Sequence, residues 1–233
     1  DRVLQSLQDK DLEDTKVMDC GDLELCFGNT KKALAQIEEQ AKEILDNSAI
    51  PFMLGGEHLV TLGAFRAVLE KYPDIHIIHF DAHADLREEY LGEQLSHASV
   101  IRRCWDLVGD ERIYQFGIRS GDREEFYWAK EHVTMKKFDF EGLEEVLEKL
   151  EGMPIYFTLD LDVLDPSVFP GTGTPEPGGV TFDALRKAAE KVCSRANVVA
   201  CDVNELSPHY DPSGISTAAA CKIVREMLLA LSK

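Results

Sequence analysis

Basic residues are scarce in this sequence. It has 25 lysines and arginines against 43 aspartates and glutamates, so the formal net charge is −18 at pH 7. A general nucleic-acid binder or a binder of anionic membranes needs basic patches, and the charge balance argues against both classes. The acidity permits attraction of a cationic substrate, and it equally fits a protein with a plain acidic surface.

Long apolar runs and paired cysteine motifs are also missing. No stretch is long and apolar enough to cross a membrane, and no signal peptide is visible. The six cysteines are scattered without a Cys-x-x-Cys pair, which indicates reduced thiols in a cytoplasmic protein rather than a disulfide framework or a zinc knuckle. The chain starts at Asp1 without an initiator methionine, which leaves open a trimmed N-terminal segment.

The hydrophobic pattern predicts one α/β domain over residues 1–233. Strands are predicted over residues 16–22, 50–54, 75–80, 112–118, 154–162 and 197–203. Helices are predicted over residues 31–47, 59–72, 97–107, 122–131, 139–150, 181–195 and 216–231. This alternation favours a mainly parallel sheet with crossover helices on both faces. The Pro/Gly-rich loop at 163–180 is unusually long for a compact domain, which favours a functional role.

Polar side chains follow four of the predicted strands. Ligands of such sheets bind at the carboxyl ends of the strands, so we expect these side chains at one edge. They are His58, Asp81, His83, Asp85, Asp160, Asp162 and Glu205. Taken alone, each could be a helix cap or a turn former. Together, so many carboxylates would repel one another and take up protons unless a cation lies among them.

The donor types indicate which cation to expect. Two imidazoles and four carboxylates are mostly hard oxygen donors without a thiolate, which disfavours a structural zinc site and favours Mn²⁺. Six ligands are too many for one metal that keeps a water molecule. They suit two metals, about 3.5–4 Å apart, that share carboxylates. We therefore expect two Mn²⁺ ions per chain.

Three segments carry a family resemblance. "FDAHAD" (80–85) and "TLDLDVLDPSVFPGTGTPEPGG" (158–179) resemble the two signature segments of the ureohydrolase family of arginases and their relatives. "GGEH" (55–58) resembles the Gly-Gly-Asp-His of that family, with Glu57 in place of the usual aspartate. The resemblance implies a three-layer αβα sandwich with a mainly parallel sheet, of the arginase/deacetylase-like type.

The resemblance also implies metal ligands. One manganese ion would be held by His58, Asp81, Asp85 and Asp160. The other would be held by Asp81, His83, Asp160 and Asp162. Asp81 and Asp160 would bridge the two ions, and a hydroxide shared by both ions would attack the guanidino carbon.

Further roles follow from the same resemblance. Asp85 would hydrogen-bond the hydroxide and help to move its proton to the leaving amine. Glu205 would grip the substrate guanidinium, which suits paired hydrogen bonds to a carboxylate. His97 would be a proton shuttle at the mouth of the site, or alternatively a residue at a helix N-terminus with only local bonds. Thr174 would line the pocket.

Two positions at which this sequence differs from the arginase pattern indicate the substrate. Arginases place an asparagine and a serine where this chain has Arg87 and Glu93, so the usual clamp for an amino-acid end is absent. This favours agmatine, hydrolysed to putrescine and urea in polyamine biosynthesis. An acidic rim could attract its ammonium end, and Glu88, Glu89 and Glu93 are the contributors expected, unless they are simply solvated loop charges.

Several alternatives stay open at this point. Aminopropylagmatine, guanidinobutyrate, arginine and formimidoylglutamate are alternative substrates, because the sequence does not settle the substrate tail. A non-catalytic metal-binding protein on the same scaffold would predict a missing ligand, yet all six are present. A dinuclear phosphoesterase would need basic phosphate-binding residues in the site loops. The family further implies a cytoplasmic homo-oligomer, either a trimer or a hexamer.

Overall fold

A six-stranded parallel sheet forms the centre of the protein. The computed structural model describes residues 8–232, so residues 1–7 and 233 of the expected domain lie outside the described part. The strands are β1 (Phe52–Leu54), β2 (His76–Phe80), β3 (Ile113–Ile118), β4 (Thr134–Lys137), β5 (Pro154–Asp160) and β6 (Asn197–Asn204). Their spatial order is β1-β6-β5-β2-β3-β4, and every neighbouring pair is parallel.

Helices cover both faces of this sheet. They are α1 (Thr30–Asp46), α2 (Val60–Lys71), α3 (Val100–Val108), α4 (Arg123–His132), α5 (Leu143–Lys149), α6 (Phe182–Arg195) and α7 (Ile215–Leu231). Short 3₁₀ turns span Leu12–Asp14, His97–Ser99, Leu161–Val163 and Pro208–Tyr210. The predicted α/β class is confirmed, with a parallel sheet between two helical layers.

The two faces of the sheet form two separate cores. Residues from α1 to α4 pack with Ile77 and Tyr156 on one face, and residues from α5 to α7 pack with Ile78 and Phe157 on the other. Side chains alternate along each strand, so neighbouring residues enter opposite cores. Because β2 is covered on both faces, all five of its residues (HIIHF) are buried, including its two histidines.

Local sequence signals set several helix boundaries. The Asn29 side chain caps α1 by accepting a hydrogen bond from the Lys32 backbone N–H at 3.0 Å. Asp122 and Glu125 form a reciprocal capping box at the start of α4. Gly142 adopts φ 85° before α5, so this helix begins at Leu143 rather than at the predicted residue 139.

One predicted strand was wrong, and one strand of the sheet was not predicted. Residues 16–22 form no strand, and their side chains lie at the surface, with Met18 80% exposed. A strand needs a neighbouring ladder, and this segment has none among the described residues. Conversely, β4 was missed because this edge strand has the sequence TMKK, whose lysines suit an exposed edge. Within residues 8–232, no helix has the length and apolar character needed to span a membrane.

Candidate metal centre and active site

The predicted polar residues meet at the carboxyl edge of four adjacent strands. The order β1-β6-β5-β2 brings together the chain segments that carry His58, Glu205, the Asp160 pair and the Asp81 motif. Gly55 permits the close contact between β1 and β6, because an added Cβ atom there would lie 2.1 Å from Asn204 Oδ1. The Gly55 N–H donates to the Val203 carbonyl at 3.0 Å and so continues the ladder.

His58 lies at the centre of three carboxylates. Its Nδ1 atom is 3.1 Å from Asp81 Oδ2, 3.1 Å from Asp85 Oδ2 and 3.3 Å from Asp160 Oδ2. The side chain is 1% exposed. Four donor atoms from three strand ends therefore converge on one small buried volume.

His83 forms a second group beside the first. Its Nδ1 atom is 2.9 Å from Asp162 Oδ2 and 3.5 Å from Asp81 Oδ1. Asp81 thus contributes one oxygen to each group. The loop backbone fixes the carboxylates, because Asp160 Oδ1 accepts the Asp162 N–H at 2.8 Å and Asp162 Oδ1 accepts the Ala82 N–H at 3.1 Å. The structure brings all six predicted ligands together.

Crowding disturbs the proton affinities of these groups. Burial and the Asp81 charge raise the pKa of Asp85 to about 7, and burial and the Asp162 charge raise the pKa of Asp160 well above its usual range. Burial opposes protonation of His83, but hydrogen bonds to Asp162 and Asp81 outweigh it and raise its pKa to about 12. In the absence of a cation, protons compensate the clustered negative charge.

The donor set fits divalent metal ions. The buried Nδ1 atom of His58 has no partner of hydrogen-bond geometry among the described residues, although it points at three carboxylates. Asp81, His83 and Asp162 also satisfy the spacing of a metal-binding group. Oxygen and imidazole donors without thiolate suit hard or borderline divalent ions. The donors form two neighbouring groups that could each hold a metal ion, and Asp81 belongs to both.

His79 is a site residue that the sequence analysis missed. It is completely buried in β2, and its Nε2 lies 2.8 Å from Asp81 Oδ2. Gln115 Nε2 donates to His79 Nδ1 at 3.0 Å, so the proton of the neutral ring is on Nε2 and is donated to Asp81. His79 could be counted as a metal ligand by distance alone. Because both its nitrogens are engaged, we interpret it as the residue that orients Asp81.

Arg119 is a second residue that was missed. Its guanidinium donates to the carbonyl oxygens of Asp162 at 2.8 Å, Val163 at 3.1 Å and Glu176 at 2.7 Å. These contacts tie the end of β5 to the distal part of the long loop. A planar guanidinium can bind several carbonyls at once, which a lysine ammonium does less well. The loop at 163–180 is therefore held against the site.

Glu205 and Asp85 both adopt left-handed backbone conformations. Their φ angles are 65° and 53°, which non-glycine residues rarely adopt. At Glu205 the N–H donates to the Gly56 carbonyl at 2.8 Å, and the side-chain Oε1 accepts the His58 N–H at 2.9 Å. Such conformations cluster at functional sites, where neighbouring contacts hold them in place.

A cavity of about 290 Å³ opens beside the six predicted metal ligands, called the metal-ligand cluster below. Its lining includes Asp85, His97, Thr174 and Glu205, four residues singled out in the sequence. Thr174 Oγ1 donates to Asp162 Oδ2 at 3.4 Å. His97 is partly exposed at the mouth, which is where a proton shuttle is expected.

Glu57 contacts His97 rather than the ring of His58. The distance from Glu57 Oε1 to His97 Nδ1 is 3.5 Å. The hydrogen bond to Glu57 outweighs burial and raises the pKa of His97. The longer glutamate, in place of the family's usual aspartate, therefore bears on the histidine at the mouth.

The outer wall of the cavity carries mixed charge. Arg87 lies there with Asp122 and Glu125. Arg87 Nε is 3.4 Å from Glu125 Oε2 and 3.7 Å from Asp122 Oδ2, and its guanidinium lies over the Tyr90 ring at 5.1 Å. The acidic rim predicted from Glu88, Glu89 and Glu93 is absent from this lining. These three glutamates are exposed, and the acidic groups of the outer wall are instead Asp122 and Glu125, at the start of α4.

Comparison with known proteins decides the family. The sequence matches the Arginase family over residues 2–230. The chain belongs to the arginase family. An agmatinase of Bacillus anthracis is 52% identical over 224 residues, covering 95% of this chain and 77% of that protein. An agmatinase of Bacillus subtilis is 48% identical over 228 residues, covering 97% and 79%.

Solved structures of the arginase family share the fold. A crystallised candidate agmatinase from Clostridium difficile superposes with a TM-score of 0.94 and 53% identity, covering 96% of this chain and 82% of that one. The expected ureohydrolase class of enzyme is thereby confirmed, as is the arginase-type sandwich.

Proposed function

We propose that the chain is a manganese-dependent ureohydrolase that hydrolyses agmatine to putrescine and urea. The observation that carries this proposal is the position of Glu205. Its carboxylate lies in the cavity beside the metal-ligand cluster and is anchored to the His58 backbone at 2.9 Å. A guanidinium bound to Glu205 would therefore present its carbon next to the metal ligands. The high identity to proteins named agmatinase supports agmatine in particular.

The six clustered residues would hold two Mn²⁺ ions. We assign His58, Asp81, Asp85 and Asp160 to one ion. We assign Asp81, His83, Asp160 and Asp162 to the other. The contacts of Asp81 with both histidines support its shared position, and those of Asp160 with His58 and Asp162 support a second shared carboxylate. The ions would supply a water molecule acidified enough to act as a nucleophile near neutral pH.

Three side chains would handle the substrate and its protons. Glu205 accepts paired hydrogen bonds from the guanidinium and holds it in one plane. Asp85, whose carboxylate faces both the cluster and the cavity, receives the proton of the attacking water and passes it to the leaving nitrogen. His97 exchanges protons between this nitrogen and solvent at the mouth.

The reaction balances without a further reagent. The water oxygen forms a bond to the guanidinium carbon, and the bond from that carbon to the substituted nitrogen breaks. Both protons of the water end on nitrogen: one replaces the broken bond, and the other maintains the ammonium charge. The products are neutral urea and a protonated amine, so the total charge of the substrate is conserved.

The outer wall of the cavity supports a cationic tail. Arg87 is paired with two carboxylates, Asp122 and Glu125, so its charge is compensated locally. An ammonium end of the substrate would be attracted there by the partly exposed Asp122 carboxylate. A carboxylate end would instead be repelled by Asp122 and Glu125, which surround the single guanidinium of Arg87. Location in the cytoplasm, a role in polyamine biosynthesis and assembly as a homo-oligomer complete the proposal on the basis of the family.

A guanidino acid is the second candidate substrate. The observation in its favour is that Arg87 lines the same cavity, where it could bind a carboxylate bidentately. This would require the Arg87 guanidinium to leave Glu125 and Asp122. We therefore rank guanidinobutyrate below agmatine.

Parallel assays of urea release test the substrate assignment. The Mn²⁺-loaded protein would be given agmatine, arginine, guanidinobutyrate and aminopropylagmatine at equal concentrations, with release of formamide measured instead for formimidoylglutamate and with Asp162→Ala as the control for the metal centre. We expect agmatine to have the highest kcat/KM and every activity to vanish in the control. A higher kcat/KM for guanidinobutyrate would transfer the assignment to the second candidate.

A further inference from the structure

A buried hydrogen-bond chain lies behind the metal-ligand cluster. His58 Nε2, the ring atom that points away from the carboxylates, is 2.9 Å from Thr158 Oγ1. Thr158 Oγ1 in turn donates to Asp202 Oδ1 at 2.7 Å. None of the three side chains is more than 1% exposed. This series of hydrogen bonds runs from His58, just before α2, through Thr158 in β5 to Asp202 in β6.

Asp202 is saturated with donors. Tyr156 donates its phenolic proton to Oδ2 at 2.6 Å, and Asn204 Nδ2 donates to Oδ1 at 2.8 Å. Asp202 is completely buried, and both of its oxygens accept hydrogen bonds from these donors and from Thr158. Because Oδ1 accepts the amide proton of Asn204 as well, it also accepts, rather than donates, toward Thr158.

The number of protons available along this series of hydrogen bonds determines the tautomer of His58. Thr158 has one hydroxyl proton, and that proton is engaged with Asp202. Toward His58 the hydroxyl can therefore only accept, so a ring that binds a metal ion through Nδ1 keeps its single proton on Nε2. Nδ1 would then offer its lone pair to that ion. This is the atom that lies 3.1 to 3.3 Å from the oxygens of Asp81, Asp85 and Asp160.

We propose that Asp202 and Thr158 form a positioning relay that holds His58 as the Nε2–H tautomer and reserves Nδ1 for a metal ion. The inference rests on the proposed metal centre and adds two residues that would touch neither metal nor substrate. Partners behind a metal-ligating histidine fix its tautomer and orientation, and their loss typically weakens metal affinity about 10- to 100-fold. The relay would act on the ion bound by His58 and leave the ion bound by His83 unaffected.

Neighbouring threonines provide a matched set of variants. Thr158→Val is nearly isosteric and removes the hydroxyl, while Thr158→Ser retains it. Thr61→Val is the control, because Thr61 is equally buried and lies 3.4 Å from Thr158 and 3.2 Å from Asn204 Nδ2, at the side of the relay and not between His58 and Asp202. Asp202→Asn keeps the shape and replaces one acceptor by a donor, which provides a second test if Thr158→Val does not fold.

Calorimetric titration of the metal-free proteins with Mn²⁺ would measure both binding steps. We expect Thr158→Val and Asp202→Asn to weaken one step about 10- to 100-fold and to leave the other unchanged. Thr158→Ser and Thr61→Val should stay close to the wild type. Equal affinities in Thr158→Val and Thr61→Val would overturn the relay.

Nuclear magnetic resonance provides a readout that is independent of activity. In Zn²⁺-loaded protein with ¹⁵N-labelled histidine, we expect the His58 proton on Nε2. A proton on Nδ1 would overturn the inference. Wild-type protein that binds two Mn²⁺ ions without hydrolysing agmatine would contradict the proposed function. The calorimetric and NMR measurements would still test the relay in that case. Wild-type protein that binds no Mn²⁺ would overturn both proposals.

Discussion

The backbone N–H of His58 donates a hydrogen bond to Glu205 Oε1 at 2.9 Å. This contact joins a proposed metal ligand at the start of α2 to the proposed guanidinium acceptor after β6. The two groups therefore keep a fixed separation, and both oxygens of Glu205 can still accept hydrogen bonds from substrate, since each carboxylate oxygen has two lone pairs. Because this hydrogen bond links the two groups, mutation of Glu205 tests whether its carboxylate binds the guanidinium.

Glu205→Gln should lower kcat/KM for agmatine about 10²- to 10³-fold, the effect typical of losing one preorganised electrostatic contact to the reacting group. The amide oxygen can still accept the His58 N–H, so bound Mn²⁺ should remain at the wild-type level. Steady-state kinetics and metal analysis would check this. Glu89→Gln, on the exposed loop outside the cavity, is the matched control. Equal activity in the two variants would refute the role of Glu205.

Glu57 should set the pH range in which His97 donates a proton. Its hydrogen bond raises the pKa of His97, and protonated His97 is the form that can supply the leaving amine. Glu57→Gln removes the charge, so the pKa of His97 should fall and the high-pH decline of kcat should move to lower pH. A pH–rate profile of both proteins measures this shift. An unmoved profile would show that His97 does not limit turnover.

Asp122 should contribute to the choice of substrate tail. Asp122→Asn can still cap α4 but lowers the negative charge beside Arg87. We expect KM for agmatine to rise roughly 2- to 5-fold, the scale of one partly exposed ion pair, with kcat little changed. The preference for agmatine over guanidinobutyrate should shrink in the same assay. An unchanged ratio would place the tail elsewhere.

Metal binding should release protons. Without metal, the pKa of Asp85 is raised to about 7 and that of His83 to about 12, so both groups carry protons at pH 6 that Mn²⁺ must displace. Affinity should therefore increase with pH, most steeply below about pH 7, where Asp85 is also protonated. Calorimetry in two buffers of different ionisation enthalpy counts the released protons. Binding without proton release at pH 6 would contradict the description of the cluster.

Much of this architecture can be predicted because its signals are local. The apolar run of β2 leads directly into the Asp81 motif, and residues two apart on an extended chain share a face. Asp160 is the last residue of β5, and Asp162 follows it in a 3₁₀ turn whose N–H donates to Asp160 Oδ1, so the turn and not strand alternation keeps the two together. Positions at strand ends can therefore be assigned before any long-range contact is known.

The supporting residues are harder to predict because their partners are distant in the chain. Thr158 and His58 are 100 positions apart, and Asp202 is another 44 beyond Thr158. A threonine inside an apolar strand usually indicates packing alone. His79 carried a usable signal, since it lies two positions before Asp81 and so faces the same side of the sheet.

Edge elements were misread for a different reason. The segment at 16–22 has apolar residues but no partner strand in the described structure, whereas β4 is polar and gains its order from pairing with β3. Strand formation depends on the neighbour as much as on the local sequence. The hydrophobic pattern of one segment therefore predicts the central strands of a sheet better than its edge strands.

Stepwise addition of Mn²⁺ to metal-free protein, with urea release from agmatine followed at each step, tests the central claim most directly. The account predicts that activity saturates at two Mn²⁺ per chain and that Asp162→Ala, which lacks a ligand beside His83, stays inactive at every ratio. Full turnover by the metal-free protein or by Asp162→Ala would contradict it.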